Sequence, residues 1–289
     1  LKHFTASYLS EQDIHTVTAN YQPKVRKSIL TSYYFTLAAL EAKKVSDIPR
    51  APPAALFAAA AKGDASVYAL FGGQGTNEVY FDELQALYDT YKPYVANFIR
   101  TVTHDVLLPL AKESEETTYY THGLDVVSWL DGAASRPSTA YLASVPVSLP
   151  LIGLTQLVQY LVVARVSNLT PGDLRSRFAG TTGHSQGLVS AVAIAASTTH
   201  ESFLENSLKA LKWLSFCGLR GQQYFPILAV EPGIIQDSIA PSRPSRRTST
   251  RQYVPPRKLA ALHLAAQRTE GFRRHWSSER IVRSRNQSA

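Results

Sequence analysis

The chain has 289 residues and a mass of 31.8 kDa, with 45% hydrophobic and 18% charged residues. That is enough for one large domain or two small ones around a sizeable core, and it excludes a disordered or fibrous chain. The formal charge of +8 is uneven: residues 1–238 hold 18 Lys and Arg against 20 Asp and Glu, a net of −2, whereas residues 239–289 hold 12 against 2, a net of +10. The basicity therefore does not mark the body as a nucleic-acid binder.

The single cysteine, Cys217, excludes an internal disulfide framework and points to a reducing, cytoplasmic location. The opening Leu-Lys-His-Phe-Thr has no basic region followed by an apolar run, so no secretory signal is expected there. Met is missing altogether, even at position 1, which suggests a fragment or a gene model trimmed upstream.

Residues 1–65 read as an N-terminal helical segment. Ser10 followed by Asp13 resembles a helix start, and Ile29, Tyr33, Leu37 and Leu40 recur three or four apart, which predicts one apolar face. The prolines of Ile48-Pro49-Arg50-Ala51-Pro52-Pro53 end that helix, because proline cannot continue the hydrogen-bond ladder. An Ala-rich segment, Ala54 to Ala61, follows.

From residue 66 the texture becomes α/β. Val67-Tyr68-Ala69-Leu70-Phe71 predicts a short buried parallel strand. Gly72-Gly73-Gln74-Gly75-Thr76-Asn77 forms a turn, and Phe81, Leu84, Tyr88 and Tyr91 then share one face of a helix. Glycines at a strand-to-helix junction let backbone N–H groups approach an anion or a developing oxyanion. The turn is neither a dinucleotide fingerprint, since Glu78 stands where the third glycine belongs, nor a P-loop, since no Gly-Lys-Ser/Thr follows. Taken alone it serves structure as readily as function.

The apolar stretch Val145 to Val163 is interrupted by Pro146, Ser148, Pro150, Thr155, Gln156 and Gln159. A membrane span tolerates these poorly, so a buried core helix is expected, with Pro150 near its first turn.

The strongest signal is Gly183-His184-Ser185-Gln186-Gly187, preceded by Phe178 to Thr182 and followed by the small-residue helix Leu188 to Ala195. Gly-x-Ser-x-Gly between strand and helix reads as a nucleophile elbow, whose sharp turn exposes the serine hydroxyl. Such a serine needs a base for its proton and donors for the oxyanion. The N–H of Gln186 is one natural donor, and the Gly73-Gln74-Gly75 turn is placed to supply another.

The two motifs together resemble the acyltransferases of fatty acid and polyketide synthesis, within the malonyl/acetyl-CoA:ACP transacylase-like superfamily. The resemblance is strongest to the N-terminal acetyltransferase region of the fungal fatty acid synthase beta subunit. Tyr8 to His15, Tyr80 to Leu84, Pro150 to Gly153, Thr170 to Ser176 and Thr182 to Ala195 also carry it, and it covers roughly residues 1–238. It implies that Ser185 takes an acyl group from acetyl-CoA, or another short acyl-CoA, and passes it to the phosphopantetheine thiol of an acyl carrier protein. Backbone amides of Gln74 and Gln186 would form the oxyanion hole, and His184 would be structural.

Malonyl-transferring relatives carry an arginine where Cys217 stands when their Arg-Gly is matched to Cys217-Gly218, so an uncharged monoacyl group is expected in this pocket. Arg220, three residues on, is a possible substitute. No metal and no cofactor besides the acyl-CoA substrate is implied, and neither nucleic acid nor membrane is an expected partner. In the parent protein the partners would be the fatty acid synthase alpha subunit and the rest of the beta chain.

The family's base is a histidine in a Phe-His-Ser context, well beyond the serine. The histidines after Ser185 are His200, His263 and His275, none in that context. The ferredoxin-like subdomain that precedes the base is also expected to be lacking, as a frameshift or retained intron would explain.

The expected organisation is thus an N-terminal helical segment (1–65), an incomplete acyltransferase core of α/β-hydrolase-like fold (66–238) and a basic tail foreign to it (239–289). Composition makes the tail solvated or disordered; a polybasic arm is the alternative, but its aromatics do not alternate with its basic residues. Impaired acyl transfer is the functional expectation, with a non-catalytic structural or interaction fragment of a large synthase as the alternative. A plain serine hydrolase would also use the elbow, but needs a later His and acid that are not evident.

Overall fold

A computed structural model of the chain describes residue 9 and residues 12–45, 54–74, 79–113 and 117–224. Asp13 begins the first helix, α1 (Ile14–Val17), because its carboxylate accepts hydrogen bonds from the N–H groups of His15 and Thr16. Ser10, the other half of the expected helix start, lies outside the described residues. Pro23 opens α2 (Pro23–Ala42), where its missing N–H is harmless.

The buried face of α2 is Leu30, Tyr34 and Leu37: Leu37 is buried as expected, whereas Leu30 and Tyr34 take the places expected of Ile29 and Tyr33, which with Leu40 are half-buried beside it. The shift has an aromatic cause. Tyr34 packs 4.9 Å from Tyr91, ring centre to ring centre, and its hydroxyl meets His15 Nε2 at 2.7 Å.

Helix α3 (Ala55–Lys62) leads into strand β1 (Val67–Phe71), which pairs in parallel with β2 (Phe178–Gly183). Phe71 stands opposite Gly183, so both strands end side by side where the two glycine motifs begin. The expectation of a fully buried strand is corrected: Tyr68 and Leu70 are 61% and 74% exposed. Among the described residues one face is covered, the face on which Thr181 Oγ1, opposite Ala69, donates to the carbonyl of Ala191 on the following helix.

Helix α4 (Tyr80–Val102) buries Phe81, Leu84 and Tyr88 as expected. At Tyr91 the backbone leaves helical geometry (φ −116°, ψ 21°), because Pro93 has no N–H to give and its ring crowds the preceding turn. The kink turns Tyr91 toward His15 and Tyr34, while Val95, Ile99 and Val102 carry the buried face onward. A π-turn (Thr103–Leu107) and the short helices α5 (Leu108–Glu113), α6 (Val126–Leu130) and α7 (Thr139–Ala143) follow.

The centre is α8 (Val145–Val166), with Leu151, Leu154, Leu157 and Val158 entirely buried. At about 1.5–3 kcal/mol per buried aliphatic side chain, this helix anchors the unit. Among the described residues it is the helix long and apolar enough to cross a membrane, yet it is mostly buried inside the protein, as expected of a core helix. Pro146 occupies its first turn; Pro150 lies inside the helix, correcting the expected placement.

Helix α9 (Pro171–Ser176) carries a capping box between Thr170 and Asp173; α10 (Gly187–Ala195) and α11 (His200–Tyr224) complete the described fold. Helices dominate, and the sheet among the described residues has two strands. This is consistent with an acyltransferase core. The basic tail, with His263 and His275, lies outside the described residues.

Candidate active site

Strand β2 must reverse into α10 within a few residues, and the reversal falls on Ser185, which adopts φ +54°. For a residue with a Cβ this left-handed conformation is strained by about 1–3 kcal/mol and persists only where the surroundings hold it. They do so through β1. The N–H of His184 donates to the carbonyl of Phe71 at 2.9 Å.

A Cβ on Gly187 would lie 2.3 Å and 2.4 Å from the carbonyl oxygens of Phe71 and Gly72. A Cβ on Gly73 would meet Ser185 Cβ at 2.9 Å and His184 Nδ1 at 3.0 Å. The two glycine motifs, 110 residues apart in sequence, are therefore interlocked. Ser185 stands exposed at the top, and its Oγ makes no hydrogen bond with the described residues.

Three of the four expected site residues meet here. Gln74 follows Gly73, and its side-chain Nε2 donates to Ser148 Oγ at 2.5 Å, which leaves its backbone as the part available at the turn. Gln186 follows Ser185 and is 6% exposed, with neither Nε2 nor Oε1 of its side chain hydrogen-bonded. Gly75, the last glycine of the turn, lies outside the described residues.

The fourth residue, Cys217, sits on α11 beside Gly218. A Cβ on Gly218 would lie 2.7 Å from the carbonyl of Val145, so α11 crosses the start of α8 at Gly218, and Cys217 beside it is half-buried. Burial pushes its thiol pKa up, which keeps it neutral. Arg220 is exposed and donates to Gln223 Oε1 at 2.7 Å, so it is engaged on the outer surface of α11.

No described histidine is hydrogen-bonded to Ser185. The exposed ring of His184 lies beside Gly73, and His200 opens α11. Among the described residues no group of three His, Cys, Asp or Glu side chains is arranged to hold a metal. A cleft of about 240 Å³ runs along β1, lined by Phe71, Gly72, Gln156, Tyr160, Leu174 and Phe178; it reaches the glycine turn, but Ser185 does not line it.

Sequence reasoning missed the polar residues of α8 as site components. Ser148 and Gln156 stood out only as interruptions of an apolar stretch. Ser148 holds Gln74, while Gln156 is bonded to both Gly72 and Ser190. A buried amide in an otherwise apolar helix was the available signal, since such a group must find partners.

Residues 69–267 match the family model described as starter unit:ACP transacylase in aflatoxin biosynthesis. The matched residues run past the change of charge at residue 239. The chain is 38% identical over 244 residues to fatty acid synthase subunit beta of Saccharomyces cerevisiae, covering 83% of this chain and 12% of that protein. It is 38% identical over 241 residues to the Schizosaccharomyces pombe subunit beta (83% and 11%). It is 35% identical over 230 residues to fatty acid synthase beta subunit aflB of Emericella nidulans (79% and 11%). The chain thus spans about a ninth of the length of the curated relatives it matches.

Proposed function

The chain belongs to the starter unit:ACP transacylase family, and from that premise we propose that it carries acyl groups on Ser185. The serine oxygen attacks the thioester carbonyl of acetyl-CoA or another short acyl-CoA, the coenzyme A thiol leaves, and an acyl-serine ester forms. The phosphopantetheine thiol of an acyl carrier protein then attacks that ester and restores the serine hydroxyl. Negative charge collects on the carbonyl oxygen in both steps, and the backbone N–H groups of Gln74 and Gln186 are assigned to hold it.

The observation that carries this reading is the strained, exposed Ser185 at φ +54°, packed against Gly73 of the second glycine motif. By the resemblance, Cys217 stands where malonyl-transferring relatives carry an arginine; neutral and partly buried, it would offer a free carboxylate no partner, so acetyl is favoured over malonyl. In the parent assembly this step would prime fatty acid synthesis beside the alpha subunit and the rest of the beta chain.

Turnover by this chain is slow in our reading, because the proton of Ser185 has no acceptor among the described residues. That same observation favours the second reading, a non-catalytic fragment of a synthase. Mass analysis of the phosphopantetheine arm of a carrier protein, after incubation with the chain and acetyl-CoA, separates them. Slow transfer that disappears in Ser185→Ala supports catalysis; transfer equal to that without protein supports the fragment.

A further inference from the structure

Gln156 is 9% exposed and lies on the core helix α8, yet both ends of its amide are engaged. Nε2 donates to the carbonyl of Gly72 at 2.8 Å, and Oε1 accepts from Ser190 Oγ at 2.7 Å. Gly72 opens the glycine turn, whereas Ser190 sits on α10, the helix that leaves the elbow. One amide therefore joins the two halves of the candidate site through the core. Eight residues earlier on α8, about 12 Å along its axis, Ser148 holds the side chain of Gln74. The turn is pinned to one helix at both Gly72 and Gln74.

The pinning matters because Gly72 and Gly73 have no Cβ to restrict them, so an unanchored turn would sample many orientations. A trans peptide is planar, with its C=O and N–H pointing in opposite directions. Fixing the Gly72 carbonyl therefore fixes the direction of the Gly73 N–H, and the bond to Ser148 limits where the next residue, Gln74, can lie. The same oxygen lies against the start of α10, where a Cβ on Gly187 would come within 2.4 Å of it.

We propose that Gln156 is a positioning residue for acyl transfer: by tying the Gly72 carbonyl to Ser190, it holds the turn's amide donors at a fixed place relative to Ser185. It does not touch the acyl group. The inference rests on Ser185 being the nucleophile, and it adds that donor placement depends on a buried amide on α8. Oxyanion donors act through being placed before the charge develops, and displacements near 1 Å can slow a reaction about a hundredfold.

The test follows phosphonylation of Ser185 in the full chain by a fluorophosphonate probe, with fluoride as the leaving group. The saturating rate is separated from the half-saturating probe concentration. Gln156→Leu removes both hydrogen bonds and is expected to lower the saturating rate about tenfold or more, leaving half-saturation within about twofold. Gln156→Glu cannot donate to Gly72 when ionised. It should be slow near neutral pH and recover as the pH falls and its carboxyl regains a proton, a profile that loss of packing would not produce. Ser190→Thr keeps the hydroxyl and should retain the rate within about twofold, whereas Ser190→Ala should lose part of it.

Labelling that persists in Ser185→Ala overturns the nucleophile reading and this inference with it. Labelling that requires Ser185 but is unchanged in folded Gln156→Leu and Gln156→Glu overturns this inference alone. If circular dichroism shows Gln156→Leu unfolded, the pH profile of Gln156→Glu and the Ser190 pair decide: a flat profile with an unaffected Ser190→Ala overturns the proposal.

Discussion

Two polar neighbourhoods in this molecule are built on opposite plans. Around His15 the side chains satisfy one another: Asp13 caps α1, His15 shares a hydrogen bond with Tyr34, and its ring stacks 6.4 Å from Tyr91. Burial pushes the Tyr34 phenol far above its usual range, so it keeps its proton and can donate to a neutral imidazole. Around Ser185 the backbone does the satisfying and the hydroxyl is left exposed in a strained conformation. A histidine in a closed network holds helices together. A serine held open by glycines and carbonyls is what the proposed acyl transfer requires.

Substitutions should separate the two plans. Ser185→Ala should abolish acyl-adduct formation while leaving the denaturation midpoint unchanged or slightly raised, because alanine loses no hydrogen bond among the described residues. Gly187→Ala should act through the fold instead. Its Cβ would overlap two backbone carbonyls, neither of which can swing away, and urea denaturation should show a loss of about 3 kcal/mol or more. Equal stability of the two variants would mean that the elbow is not locked against β1.

Cys217→Arg tests the pocket. Placing a guanidinium at the crossing of α11 and α8 should shift acyl loading toward malonyl by about tenfold in competition between malonyl- and acetyl-CoA, through a charge-assisted pair with the free carboxylate. An unchanged ratio would remove Cys217 from the acyl site.

At the N-terminal neighbourhood the effects are smaller and concern stability alone. Asp13→Ala removes the cap of α1 and should cost about 1 kcal/mol, with no change in Ser185 labelling.

The His15 pKa is lowered, first by burial and also by Arg26, with Asp13 opposing. A depressed histidine pKa favours the neutral form in the folded state, so below the ordinary value of 6.5 the unfolded chain binds the proton first. Stability should therefore fall as pH drops from about 6.5 and level off once folded His15 is also protonated. His15→Asn should flatten that part of the profile, measured as the urea midpoint against pH.

What could be read from the sequence divides along the same line. The elbow was legible because Gly-x-Ser-x-Gly is a backbone requirement written in residue types, and the structure places φ +54° on the serine. The core helix α8 was legible from its apolar run. The role of Gln156 was not, because a glutamine in such a run shows only that a polar group is buried, not which carbonyl it meets 84 residues away. The bare face of β1 was hidden for a similar reason: five apolar residues in a row do not tell how many faces are covered. The first half of the α2 stripe moved by one residue, while Leu37 stayed, because tertiary partners on α1 and α4 chose Tyr34 over Tyr33.

The most direct measurement is peptide mapping of the full chain after prolonged incubation with acetyl-CoA, alongside the Ser185→Ala variant. A single acetyl group on the peptide containing Gly183 to Gly187, located on Ser185 by fragmentation and missing from the variant, is the predicted result. Acetylation of His184 or Cys217 in its place, or an adduct on that peptide that survives Ser185→Ala, would contradict the assignment of Ser185 as the acyl carrier.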